Sequence, residues 1–239
     1  MLKKLISLKN EMGGVNAFLY LTHMALGRIT RGRFRIVKYY LYRQPVAVKT
    51  IIPERRGKNI TVRQIDPTDS NAFADFPRPG TVIGQRFGQG AVCFAAYIED
   101  RFVGYVWLNL GDYTEDEVRC IFSPQPEDTT AWDYDVYVEP SARNGFIFPK
   151  LWQAANDYLN HSGVAWSLSR ISAFNVQSQR SHERLGARAN GSATFICLGR
   201  TELMIAGHPP YVHVSIMGGK TPIMRIDVKH RSGGDHLQH

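Results

Sequence analysis

The sequence predicts an α/β (α+β) domain behind a basic N-terminal helical arm, on three observations. From residue 59 onward, apolar runs of strand length alternate with helix-length stretches, and short polar turns join two pairs of these runs. Charge divides the chain: Met1 to Arg63 holds 14 Lys/Arg against Glu11 and Glu54, or +12, while the remainder carries 15 basic and 19 acidic residues, or −4. At 239 residues, with 44% hydrophobic and 21% charged residues, the chain is long and apolar enough for one large core but too short for three domains. The expected organisation is a basic amphipathic arm over 1–58, a folded domain over 59–230 and a disordered tail over 231–239.

In the arm, Leu2, Leu5, Ile6 and Leu8, then Val15, Phe18, Leu19 and Ala25–Leu26, recur at helical spacing. This predicts one or two short helices, broken at Gly13–Gly14 and ending near Gly27. Glu11 and the two glycines also interrupt the apolar core that a secretory signal would need. Arg28, Arg31, Arg33, Arg35 and Lys38 then lead into Tyr39, Tyr40 and Tyr42. Such a segment can pack on the body with its basic face solvated. It can lie on an anionic membrane surface through residues 1–45, or grip phosphates of nucleic acid. No zinc-finger spacing, helix-turn-helix signal or RNP-type aromatic motif supports the nucleic-acid option.

Pro53–Lys58 reads as a linker and Asn59–Ile65 as a strand. Residues 66–90, rich in Pro, Gly and Asp, allow only short helices. Ala91–Ile98 and Phe102–Leu110 flank Glu99-Asp100-Arg101 as a hairpin, and Gly111–Thr130 reads mostly as loop. Trp132–Val138 alternates as a strand, with Asp133, Asp135 and Tyr137 between Trp132, Tyr134, Val136 and Val138. Phe148, Leu151, Trp152, Ala155 and Leu159 fall at i, i+3, i+4, i+7 and i+11, an amphipathic helix that tolerates Pro149 in its first turn. Val164–Phe174 is a strand. Asn175 caps a helix ending at Leu185–Gly186. Ala193–Leu198 and Glu202–Ala206 form a closing hairpin, and Tyr211–Ile216 and Ile223–Val228 are strand-like.

Several chemistries are excluded. Cys93, Cys120 and Cys197 form no CxxC pair, so neither a disulfide framework nor a cysteine zinc site is expected, and the cysteines suit a reducing compartment. His208 and His213 have no carboxylate or cysteine partners nearby in sequence, so no metal is expected. Gly219-Lys220-Thr221 lacks the first glycine of a phosphate loop. No Gly-x-Ser-x-Gly is present, and no run of 18 apolar residues exists.

Two blocks carry a resemblance. Val136-Tyr137-Val138-Glu139-Pro140 leads through Arg143-Asn144-Gly145-Phe146-Ile147-Phe148 into the amphipathic helix. Asn175 and Ser178 are followed without a gap by His182-Glu183-Arg184-Leu185-Gly186-Ala187. Together they resemble the GNAT superfamily of acyl-CoA-dependent N-acyltransferases over roughly residues 59–206. The resemblance implies a mixed, mostly antiparallel central sheet flanked by helices. It also implies acetyl-CoA or another acyl-CoA as co-substrate, held along Val136, Tyr137 and Val138 and by the main chain of Arg143, Asn144, Gly145, Phe146, Ile147 and Phe148, with Asn175 and Ser178 contributing. Phe146 and Phe148 replace glycines of the family's diphosphate loop.

His182 takes the place of the family's tyrosine, which implies a proton donor to the leaving thiolate. Acylation of an amine also needs a base, and Asp135 is the candidate by its place on the strand. A main-chain amide near Val136–Val138 is the implied oxyanion donor. Asp133 and Glu117 are candidates for binding a cationic amine. The expected acceptor is an amine-bearing small molecule or amino-sugar precursor, modified in the cytoplasm at the inner face of a membrane. The rival reading is a non-catalytic GNAT-fold binding protein, tied to a membrane surface or a partner by its arm.

Overall fold

The computed structural model describes residues 2–53, 55–143, 145–216 and 219–229. Its helices are α1 (Leu2–Met12), α2 (Gly14–Ile29), α3 (Gly80–Gly88), α4 (Ile147–His161) and α5 (Val176–Arg184). Its strands are β1 (Phe34–Pro45), β2 (Ile60–Gln64), β3 (Val92–Ile98), β4 (Arg101–Asn109), β5 (Tyr113–Thr114) and β6 (Ile121–Gln125). They continue as β7 (Thr130–Val138), β8 (Trp166–Ser172), β9 (Arg188–Leu198), β10 (Thr201–Ala206), β11 (Val212–Ser215) and β12 (Ile223–Asp227). The chain divides into two units. The first is Met1–Gln44, Asp112–Pro126 and Leu168–His239, and the second is Pro45–Gly111 and Glu127–Ser167. The architecture is the mixed, mostly antiparallel α/β one expected. The tail placed at 231–239 lies outside the described residues.

In the second unit the strands run β7-β4-β3-β2. The β3–β4 turn consists of Glu99 and Asp100 alone, both at positive φ (49° and 63°), between paired Ile98 and Arg101. Two left-handed central residues give the turn the twist that matches two antiparallel strands. Helix α4 covers β2, β3 and β4. Leu151, Trp152, Ala155 and Leu159 are buried as the spacing predicts, with Ile147 buried in place of Phe148, which is half-buried, and each large buried side chain contributes about 1.5–3 kcal/mol. The space for α4 depends on Gly104 of β4. A Cβ there would lie 2.5 Å from the Tyr137 carbonyl oxygen and 3.3 Å from Ile147 Cγ2.

In the first unit the order is β11-β10-β9-β1-β8, beside a three-stranded sheet β12-β6-β5 in which β12 runs parallel to β6. Strand β1 pairs with β9 from Phe34↔Leu198 to Arg43↔Arg188. The sequence pattern did not disclose this strand, because its three Lys/Arg and three tyrosines read as a basic aromatic cluster. Tyr39, Leu41, Phe195, Cys197 and Met204 are buried, and Tyr39 meets Phe122 of β6 edge-on at 6.5 Å. Residues 111–130, expected mostly as loop, supply β5 and β6. Helices α1 and α2 break at Gly13 (φ 83°) as expected.

Replacing Gly104 with Ala should destabilise the protein by about 1–3 kcal/mol, because main chain rather than a flexible side chain would have to move. Urea unfolding of the variant checks this; an unchanged midpoint would show that β4 and β7 are not held at this spacing.

Candidate active site

Strand β7 is irregular where chemistry was expected. Tyr105 pairs with Tyr137 and Trp107 with Tyr134, so Asp135 and Val136 together oppose Val106. This is a β-bulge, and it leaves main-chain groups outside the ladder. Asp135 sits at φ 47°, in the left-handed region. The bulge corrects the alternation expected for this strand: Asp133 and Asp135 do not simply share one face. Asp133 is buried, and Ser167 Oγ donates to its carboxylate at 2.6 Å. A buried carboxylate engaged in this way is not exposed to a substrate.

The Asp135 carboxylate is clamped. Arg78 donates to both oxygens at 2.9 and 2.6 Å, Arg86 at 2.6 Å and Tyr105 Oη at 3.0 Å. Arg86 is buried and lies over the rings of Trp107 and Tyr134 at 5.3 and 5.2 Å. Burial pushes the Asp135 carboxyl up, but the Arg78 hydrogen bonds and the Arg86 charge outweigh it and hold it below the usual aspartate range. A carboxylate so satisfied has little affinity for another proton. Arg78, Arg86 and Tyr105 escaped the sequence reading. The one signal was Arg86 standing three residues after Ile83 on the buried stripe of α3.

Past the bulge, the Glu139 N–H donates to the Val103 carbonyl. Arg101 pairs with the Glu139 carboxylate at 2.6 Å, and Arg143 Nε returns to the Val138 carbonyl at 3.1 Å. Residues Pro140–Ala142 form a single 3₁₀ turn. Asn144 lies outside the described residues. Helix α4 then opens with no side-chain cap and no acidic residue in its first turn. The Lys150 N–H donates to the Phe146 carbonyl, and Pro149 has no N–H. The Ile147 amide stands at the positive end of the helix.

Two aromatic rings stand where small residues would open such a turn. Phe146 packs onto the preceding segment: a Cβ on Gly57 would lie 3.2 Å from its Cβ, and the Arg56 guanidinium stands 5.5 Å from its ring. Phe148 is half-buried, with its ring 6.3 Å from that of Trp152. Both side chains are engaged by the protein.

A sequence model described as the acetyltransferase (GNAT) family matches residues 62–187. The chain belongs to the GNAT family. This family uses acetyl-CoA as its co-substrate. Among solved structures, the chain is similar to a conserved protein of unknown function from Staphylococcus epidermidis, at 14% identity and TM-score 0.50, covering 74% of this chain and 67% of that one. It also aligns with an aminoglycoside acetyltransferase from an uncultured soil metagenomic sample in complex with sisomicin, at 15% identity and TM-score 0.38, covering 53% and 88%. A third is a GNAT-family acetyltransferase from Novosphingobium aromaticivorans, at 17% and 0.43, covering 67% and 63%. None of the curated proteins matches the chain.

The second GNAT block lies in the first unit. Asn175 Oδ1 accepts the Ser178 N–H at 3.1 Å and caps α5, so both residues have a defined structural task. His182 is buried, and its Nδ1 lies 2.9 Å from the Ser178 carbonyl oxygen. A carbonyl only accepts, so Nδ1 carries the proton. Burial lowers the ring's proton affinity, with the Ser178 bond opposing, and His182 is neutral near pH 7. Glu117 accepts from Tyr39 Oη at 2.8 Å. Glu115, beside it, is buried and paired with Arg170 through two bonds of 2.7 and 2.6 Å. Thus Val136, Tyr137, Val138, Arg143, Gly145, Phe146, Ile147, Phe148, Asp133 and Asp135 fall together in the second unit. His182, Asn175, Ser178 and Glu117 fall in the first.

Asp135→Ala should destabilise the protein by about 3 kcal/mol, since it strands a buried Arg86. The clamp's contribution is complete above the unfolded aspartate value of about 4 and is lost as pH falls through the depressed folded value. Urea midpoints of Asp135→Asn should therefore lack part of the acid-side decline of the parent protein; parallel declines would count against the clamp.

Proposed function

We propose that this chain is an acyl-CoA-dependent N-acyltransferase, acting with acetyl-CoA on an amine of a small molecule or amino-sugar precursor. The observation that carries the reading is the start of α4. Among the described residues no side chain caps it, no carboxylate lies in its first turn, the Ile147 amide stands at its positive end, and the two phenyl rings are engaged by protein contacts. That fits the diphosphate of coenzyme A, which needs N–H donors and positive potential. Gly145, Phe146, Ile147 and Phe148 would hold it through the main chain, with Val136, Tyr137 and Val138 alongside. The bulge at Asp135 and Val136 would supply the donor for the developing oxyanion.

In the transfer, an amine nitrogen bonds to the thioester carbonyl carbon and the carbon–sulfur bond breaks, so one proton passes from nitrogen to solvent water and one reaches sulfur. Asp135, pinned ionised by two arginines, positions the bulge in this scheme and is not the base. His182 is assigned the proton for sulfur. Its Nδ1 proton is committed to Ser178, so it can donate only after taking up a second proton at Nε2.

A second reading, binding without turnover, is favoured by the saturated carboxylate of Asp135 and the committed proton of His182. Titration with acetyl-CoA, followed by thiol release with a panel of amines, separates the two. The first reading expects binding and release, the second binding alone, and no heat with acetyl-CoA would remove both. If His182 is the acid, kcat falls as pH rises through its lowered pKa, and His182→Gln loses that limb along with about 100-fold in kcat. A limb that survives in a folded His182→Gln protein would reject the assignment.

A further inference from the structure

Helix α2 is turned inside out. Its sequence, GVNAFLYLTHMALGRI, holds a single Lys/Arg/Asp/Glu residue, Arg28. Its polar side chains face the fold. Asn16 is buried, donates to Tyr40 Oη at 2.9 Å and accepts from Lys38 Nζ at 3.0 Å. His23 Nδ1 accepts the Ile36 N–H at 3.1 Å. Ala17 is buried and Tyr20 packs edge-on against Phe174, but the larger aliphatic and Phe side chains of one stripe point away: Phe18 is 69% exposed and Ile29 76%, with Val15 and Met24 also exposed. A helix at the surface of a soluble fold has the opposite polarity.

The sheet continues this surface. The contacts of Asn16 place α2 over the face of β1 that carries Lys38 and Tyr40. Register puts Leu198, opposite Phe34, on that same face. It adds Ile205, opposite Thr194, and then Val212 and Val214 opposite Ile205 and Leu203. Leu198 is 60% exposed and Val212 62%. Between α2 and the start of β1 runs a groove of about 720 Å³, lined by Leu21, Met24, Ala25 and Phe34, with Arg28 and Arg35. Arg31 and Arg33 lie in the connection between the two elements.

We propose that this face of the first unit seats on a bilayer bearing anionic lipids, with α2 lying in the interface and the arginines meeting the headgroups. Aliphatic residues bordered by cations are the chemistry of such a surface. Among the described residues no helix is long and apolar enough to cross a membrane, so the contact is peripheral. A second copy of the chain would bring together two segments, Met1–Gln44, that each carry nine Lys/Arg against Glu11, or +8, and would set repulsion against each apolar contact. Nucleic acid would meet the arginines but would leave the aliphatic side chains of Val15, Met24, Ile29 and Leu198 without a matching partner. The inference does not rest on the acyltransferase reading.

The test is flotation of the full chain with vesicles of phosphatidylcholine alone or mixed with phosphatidylglycerol. The expected result is flotation with the anionic vesicles only, weakening with salt. Phe18→Ser with Ile29→Ser should reduce the bound fraction at least tenfold while leaving thermal unfolding unchanged, both side chains being exposed. The proposal is overturned if the protein fails to float, or if the double variant floats equally. It is also overturned if light scattering shows a dimer that the variant dissolves, or if single-stranded DNA or RNA is bound while vesicles are not.

Discussion

The bulge in β7 depends on four hydrogen bonds to one carboxylate. Asp135 occupies a backbone conformation that costs an ordinary residue roughly 1–2 kcal/mol. It does so in a strand that would lose its bulge if it relaxed to regular pairing. Arg86 cannot stay buried without a counter-charge, and Arg78 and Tyr105 complete the set. The arginines come from α3 and the segment before it, and the tyrosine from β4. The clamp therefore ties the bulge to three separate pieces of chain. Strain at one residue is offset by charge pairing among several, an arrangement in which backbone irregularity survives at functional positions.

The start of α4 is held by a different exchange. A diphosphate turn built on glycines keeps side chains out by lacking them. This turn has two phenylalanines, and the space for Phe146 comes from Gly57, at φ 66°, where a Cβ would meet Ile60, Phe146 and Lys150 all within 3.3 Å. The small residue has moved from the turn to the segment packed against it.

Periodicity disclosed the elements whose two faces differ. Helix α4, strand β7 and both hairpins were legible because each has one buried side and a repeat of 3.6 or 2. The bulge was not legible, since one inserted residue leaves the alternation of Trp132 to Val138 intact on paper while redirecting Asp135. Strand β1 was hidden by Arg35, Lys38 and Arg43. The last two are satisfied within the first unit, Lys38 by Asn16 and Arg43 by the Val228 carbonyl, at a sequence distance no local pattern reaches. For the same reason the roles of Asp133 and Glu117 could not be read: their partners, Ser167 and Tyr39, lie 34 and 78 residues away.

Helix α2 shows what spacing leaves undetermined even when it is read correctly. The apolar residues do recur at helical intervals, but a repeat says that a helix has two faces, not which one turns inward. Here direction is set by a few directional bonds: Asn16 to Lys38 and Tyr40, and His23 to the main chain of β1. Hydrogen bonds specify position with little area, whereas apolar contact specifies little and needs area. Because the polar bonds fix the helix on the sheet, Phe18 and Ile29 are not needed to hold the fold. Both stand on the outside, near Arg28, Arg31, Arg33 and Arg35, for which no ion pair is found among the described residues.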